Sequence, residues 1–146
     1  MYFEESFKYT QDDVINLGIN DKLFFKQAIP IIEGIENEHQ NYMGTIITLS
    51  NHSPFIFQDK YGEFDLSDTF VNSNGETVTT NYLSGTAVGN YLTSVHYADS
   101  ALGDFLTYVK ESSAFDNTIF VFYGDHDAKL TRKEKNYLYN YNKEDG

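Results

Sequence analysis

Two short runs of apolar and β-branched residues constrain this chain more than anything else in it. Tyr42-Met43-Gly44-Thr45-Ile46-Ile47-Thr48-Leu49 breaks into Ser50-Asn51-His52-Ser53-Pro54, and Thr118-Ile119-Phe120-Val121-Phe122-Tyr123 breaks into Gly124-Asp125-His126-Asp127. Continuous apolar runs of this length, closed by turn residues, read as strands covered on both faces. Each is preceded by a helical pattern. Leu23, Phe24, Ala28, Ile31, Ile32 and Ile35 share one helical face after a cap at Asn20 or Asp21, and Pro30 predicts a kink or a fresh start there. From about Gly89, residues Tyr91, Leu92, Val95, Ala98, Leu102, Phe105, Leu106 and Val109 hold a second stripe that stops near Ser112 and Ser113. Helix, strand, turn-rich stretch, helix, strand is the order of an α/β layered fold with a mainly parallel sheet flanked by helices. Residues 42–49 and 118–123 are therefore expected to be buried, parallel neighbours. Between them, Asn74-Gly75 sits between Thr69-Phe70-Val71 and Thr77-Val78-Thr79, a hairpin signal. The stretch before Asn20 reads as loop with a short helix, and the chain after Asp127 as a polar, Tyr-rich tail.

Composition narrows the function classes. With 146 residues the chain builds one core and not two. Asp and Glu number 22 against 10 Lys and Arg, a formal charge of −12 that repels a phosphate backbone and disfavours nucleic acid. Cysteine is absent, which removes disulfides, thiolate metal sites and a Cys nucleophile. No apolar run reaches the length of a membrane span, and the first residues lack the regions of a signal peptide.

The chemistry belongs where the strands end. His52 and His126 each lie three residues past an apolar run, and in open α/β sheets ligands bind outside the carboxyl ends of the strands. With Asp125 beside one imidazole, the set suits a divalent metal or a phosphate, although a solvated turn is the common fate of a single histidine. His96 reads as a hydrogen-bonded residue at the helix–core boundary, with Asp99 as a structural partner, and His39 as exposed loop. Ser53 lacks a nucleophile elbow, and there is no glycine-rich phosphate loop, His-Glu-x-x-His or calcium-loop spacing. Lys129, Arg132, Lys133 and Lys135 are either a solvated helix face or a grip on an anionic substrate.

The motifs Thr48-Leu49-Ser50-Asn51-His52-Ser53-Pro54-Phe55, Leu83-Ser84-Gly85-Thr86, Gly89 to Asp99, and Phe115 to His126, in this order, resemble those of lipoteichoic acid synthase-type phosphoglycerol transferases. These enzymes belong to the sulfatase and alkaline phosphatase superfamily. The resemblance runs from about Asn20 to Asp127 and implies that residues 1–146 are the C-terminal portion of a sulfatase-like enzyme domain. On this likeness, Asp125 and His126 match two of four ligands of a divalent metal, usually manganese, with magnesium or zinc as alternatives, and His52 matches a substrate-contacting histidine. The other two ligands, a Glu and the nucleophilic Thr, belong to an N-terminal half to which nothing here corresponds.

The resemblance further implies transfer of glycerol phosphate from phosphatidylglycerol to a polyglycerolphosphate-type acceptor, at the extracellular face of a bacterial membrane. The 146 residues alone are expected to be inactive, to bind metal weakly or not at all, and to self-associate through a sheet edge that the rest of the domain would cover. Ala128-Lys129-Leu130-Thr131-Arg132 departs from the loop of the best-known synthases, which leaves the acceptor open. A sulfatase, phosphodiesterase or phosphoethanolamine transferase of the same superfamily is the alternative, and a non-catalytic acidic cation-binding module the alternative from another class.

Overall fold

The computed structural model describes residues 6–39 and 41–139. Its elements, in chain order, are a 3-10 turn at Gln11–Asp13, a two-residue hairpin β1 (Val14–Ile15) and β2 (Gly18–Ile19), and helix α1 (Asp21–Glu38). There follow the short helix α2 (Gln58–Tyr61), the hairpin β3 (Asp68–Val71) and β4 (Thr77–Thr80), helix α3 (Ala87–Glu111), a 3-10 turn at Ser113–Phe115 and helix α4 (Arg132–Leu138).

Both long helices begin where a side chain caps them. Asn20 Oδ1 accepts from the Leu23 amide at 3.0 Å, and Thr86 Oγ1 accepts from the Gly89 amide at 3.0 Å, each satisfying a donor that the first turn leaves open. α1 is one helix through Pro30, so of the two outcomes expected there a fresh start is not formed. Pro30 lies on the exposed side, where the carbonyl it leaves without a partner meets water. The buried line of α1 is Phe25, Ala28 and Ile29, with Phe24 and Ile32 at its margin. These pack on Ala101 and Phe105 of α3, and the Phe25 and Phe105 rings stack with centroids 4.7 Å apart. Phe115 and the inner face of Phe120 complete this core. Burying a side chain such as Phe25 or Ile29 contributes about 1.5–3 kcal/mol.

A second, smaller cluster joins Ile15, Tyr61 and Tyr97. α3 presents its small residues here: Thr93 and Ser94 are buried, and a Cβ at Gly89 would stand 2.0 Å from the Leu83 carbonyl oxygen. Only glycine lets the start of α3 lie this close to the turn before it.

The hairpin at Asn74-Gly75 forms as expected, with Phe70 opposite Val78 and Gly75 at φ +79°. Asn72 Oδ1 closes the loop by accepting from the Asn74 and Glu76 amides. The two apolar runs behave differently. Among the described residues the two sheets are antiparallel hairpins, and no backbone hydrogen bond joins residues 42–49 to 118–123. Both runs are unpaired among the described residues, and Met43 is 93% and Ile119 89% exposed. Their expected burial is therefore corrected, and the parallel pairing expected of them is not formed among the described residues. The reason is one-sided cover: Phe120 turns onto Phe105 and Phe115, and Leu49 packs against Gly18, while Ile47, Val121 and Tyr123 face outward. No helix among the described residues is long and apolar enough to cross a membrane.

Candidate metal and phosphate site

Each apolar run ends in a turn, and the two turns bring their histidines together. The rings of His52 and His126 meet edge to face with centroids 6.2 Å apart. They line one open cleft of about 450 Å³ with Ser53, Asp127, Ala128, Lys129, Leu130 and Lys135. The shared cleft expected from the matching offsets is found, although no sheet joins the two runs that carry it.

The His52 turn is held from within. Asp21, at the start of α1, accepts from the amides of Leu49 (3.2 Å) and Ser50 (3.1 Å), and its own amide donates to Ser50 Oγ at 2.9 Å. Tyr61 donates its hydroxyl to the Ser50 carbonyl at 2.9 Å, and Ser94 donates to Asn51 Oδ1 at 2.5 Å. Asn16, whose φ of +57° turns the first hairpin, donates to the carbonyls of His52 and Ser53. Burial pushes the Asp21 carboxyl up, against the Ser50 and Leu49 hydrogen bonds, which draw it down. Burial also raises Tyr61 and Tyr97, each to about 12. His52 pairs Nδ1 with the Ser53 carbonyl at 2.6 Å; with Nδ1 as the donor, Nε2 is left for the cleft.

The Asp125–His126 turn lies on the surface. Asp125 Oδ1 accepts from the His126 amide at 2.9 Å, and Oδ2 stands 3.6 Å from His126 Nε2. His126 Nδ1 pairs with the Asp127 carbonyl at 2.9 Å. That hydrogen bond first, and the Asp125 carboxylate second, raise the His126 pKa above its ordinary value. Two donors on one ion with bonds of about 2.1 Å stand no more than about 4.2 Å apart, so Oδ2 and Nε2 fit a single small cation. Among the described residues no group of three His, Cys, Asp or Glu stands close enough to complete a shell. The donor set is thus a pair.

The remaining sequence expectations divide. His96 is exposed and stacks on Phe64 at 4.5 Å, in place of the core boundary expected for it, because its position on α3 faces away from α1. His39 is exposed at the C-cap of α1. Of the basic cluster, Lys129 and Lys135 line the cleft and Arg132 and Lys133 do not. Asp127 is not among the site residues expected from the sequence, which also leaves unset the bounds of α4 within the solvated helix face weighed for the basic cluster. The signal for α4 is Thr131-Arg132-Lys133-Glu134, a capping box in which Thr131 Oγ1 accepts from the Glu134 amide and the Glu134 carboxylate accepts from the Thr131 amide.

The sulfatase family model matches residues 2–145. Lipoteichoic acid synthase 1 of Bacillus subtilis (strain 168) is 31% identical over 128 residues, which are 87% of this chain and 17% of that protein. Lipoteichoic acid synthase 2 of the same strain is 33% identical over 116 residues, 80% of this chain and 15% of the relative. Lipoteichoic acid synthase of Staphylococcus aureus (strain USA300) is 28% identical over 126 residues, covering 85% and 17%. The crystal structure of the lipoteichoic acid synthase LtaP from Listeria monocytogenes superposes with a TM-score of 0.66 at 32% identity, over 88% of this chain and 29% of that one. The α/β architecture is thus that of a part of the LtaP chain, and this chain spans about a sixth of the length of its curated relatives.

Proposed function

The chain belongs to the sulfatase family, and we propose on that premise that it carries the metal- and phosphate-binding edge of a phosphoglycerol transferase of the lipoteichoic acid synthase type. One observation carries the reading. Two imidazoles from turns 74 positions apart in sequence converge in one cleft, with a carboxylate 3.6 Å from Nε2 of one of them.

In this reading Asp125 Oδ2 and His126 Nε2 supply two ligands to a manganese-type cation, and the Asp127 carbonyl orients the His126 ring by holding Nδ1–H. A bound cation would lower the pKa of a hydroxyl nucleophile and screen the phosphate. His52, its tautomer set by the Ser53 carbonyl, hydrogen-bonds the phosphoglycerol group of phosphatidylglycerol. The nucleophilic Thr, the remaining ligands and the acceptor-binding parts belong to the rest of such a domain. The exposed runs 42–49 and 118–123 then make sheet contacts with it, or with a second copy of this chain. The place of work is the outer face of a bacterial membrane.

The test uses this chain directly. Manganese should broaden the proton resonances of His126 and the Asp125 amide selectively, at millimolar rather than micromolar concentration, because two ligands leave most of a coordination shell to water. The Asp125→Asn variant should lose that selectivity. No diacylglycerol should be released from phosphatidylglycerol. Broadening spread over the acidic surface, unaffected by Asp125→Asn, would favour a non-specific cation-binding module and sink the proposal. Micromolar binding with turnover would show that these residues hold a complete site.

A further inference from the structure

Asp21 is the first residue of α1 and only 2% exposed, and it does not line the cleft. Burial works against its charge and pushes its carboxyl up, so this placement costs stability that its bonds must offset. Those bonds run to the turn that carries His52. Asp21 and Ser50 exchange a pair: the Asp21 amide donates to Ser50 Oγ, and the Ser50 amide donates to Asp21 Oδ1. The Leu49 amide donates to the same oxygen. One hydrogen bond leaves a peptide plane free to rotate about it; three bonds to two consecutive residues do not. The turn then passes this orientation on. The His52 amide donates to the Leu49 carbonyl at 3.2 Å, which closes Leu49 to His52 into one turn, and the His52 ring pairs Nδ1 with the Ser53 carbonyl. At the other end the support is firm, since Phe25 and Ile29 seat α1 on Ala101 and Phe105 of α3.

We propose that Asp21 is a positioning residue: from behind the turn it holds His52 in the pose that leaves Nε2 to the cleft, and so it sets the affinity of the cleft for phosphate. It acts through the Leu49 and Ser50 peptides and touches no ligand itself. The position of its oxygen matters more than its charge, because Oδ1 alone receives both amides. The inference rests on the phosphate reading of the cleft and adds to it the residue on which the pose of His52 depends.

The experiment follows the His52 ring nitrogens of this chain by nuclear magnetic resonance at about pH 8, above the ordinary histidine range. They are recorded in chelator-treated buffer, first without ligand and then with inorganic phosphate. The unaltered chain should carry the His52 proton on Nδ1; a proton on Nε2 would overturn the proposed pose. Asp21→Ala should move the ring toward the tautomer mixture of a free imidazole and weaken phosphate about fivefold, the effect of one hydrogen bond. Asp21→Asn, whose oxygen accepts the same two amides, should restore the tautomer and bring the affinity back to within about twofold. Ile29→Ala opens a cavity in the α1–α3 core at a comparable cost to stability and should change neither reading. Ser50→Ala removes one bond of the exchanged pair and should shift the ring in the same direction by less, which supplies the reading where Asp21→Ala does not fold. Unchanged tautomer and affinity in Asp21→Ala, or the same changes in Ile29→Ala, would overturn the positioning role. So would an unmoved His52 ring in Ser50→Ala where Asp21→Ala is unfolded. If phosphate shifts neither His52 nor His126 in the unaltered chain, the phosphate reading of the cleft falls, and the tautomer comparison alone decides the role of Asp21.

Discussion

The turn around His52 is tied into the interior by side chains from four other parts of the chain, whereas the turn at Asp125–His126 is held almost wholly by its own neighbours. Ser50 and Ser94 are fully buried, and the Asp21, Tyr61 and Asn16 bonds converge on backbone groups of Leu49, Ser50, His52 and Ser53. In contrast, the Asp125 and His126 side chains are 80% and 61% exposed and bond to residues one position away. In the proposed site, a group that is to contact substrate would gain from being fixed before the ligand arrives. Asp125 and His126, proposed as metal ligands, are held by backbone bonds of their own turn. The two halves of the cleft therefore differ in what substitution should do to them: one should answer in stability, the other in binding alone.

The largest expected effect breaks the comparison at its strongest point. Asp21→Ala leaves the Leu49 and Ser50 amides without their acceptor. That should cost about 2–4 kcal/mol by chemical denaturation, the penalty for unpaired buried groups. Asp125→Ala should cost nothing measurable. Asp21→Asn separates charge from hydrogen bonding. Its oxygen still accepts, and the folded pKa of Asp21 is raised, so the contribution of the aspartate is greatest below the ordinary carboxylate range and falls as pH rises through the raised value. The asparagine variant should lack that downward slope. Equal losses for Asp21→Ala and Asp125→Ala would mean that the two turns are not built differently.

Next in size is an alkaline transition confined to the same interior. Tyr61 and Tyr97 are buried and raised to about 12, so the folded state prefers the neutral phenol. Their stabilisation is whole below the ordinary tyrosine range near pH 10 and is lost as pH climbs toward about 12. The Tyr97→Phe variant should lose the hydroxyl's bond to Asn20, yet unfold less steeply over that interval, as followed by circular dichroism. Ser94→Ala, which removes the partner of Asn51, should cost about 1 kcal/mol and leave the alkaline slope unchanged.

This asymmetry also explains which parts were legible beforehand. The two long helices and the Asn74-Gly75 hairpin follow from period and turn chemistry, both local properties. The convergence of His52 and His126 followed from their equal offset past two similar runs. The anchors of the first turn did not, because Asn16, Asp21, Tyr61, Ser94 and Tyr97 are single polar residues scattered through the chain, and no spacing rule links them. Burial of the apolar runs was read wrongly for a different reason. Continuous apolarity reports that a run asks for cover on both faces, and the elements here cover one. The short hairpin at Val14–Ile19 is too small to leave a period, and it matters because Asn16 turns it toward the His52 carbonyl.

The smallest expected effect lies on the exposed turn. The hydrogen bond to the Asp127 carbonyl and then the Asp125 carboxylate hold His126 above its ordinary pKa. Asp125→Asn should therefore lower it, read from the His126 ring protons in a nuclear magnetic resonance titration. The sign for folding follows: this interaction contributes fully below the ordinary histidine range and is lost as pH rises through the raised value. Because both side chains lie in solvent, the melting temperature should not follow it. Metal binding requires the neutral ring, so manganese broadening of His126 should strengthen as pH rises through the raised value, not at the lower pH of a free imidazole. Were Asp125→Asn to lower the melting temperature as much as Ser94→Ala does, the second turn would be as firmly built as the first. The division of the cleft into a fixed wall and a ligand-dependent one would then be wrong.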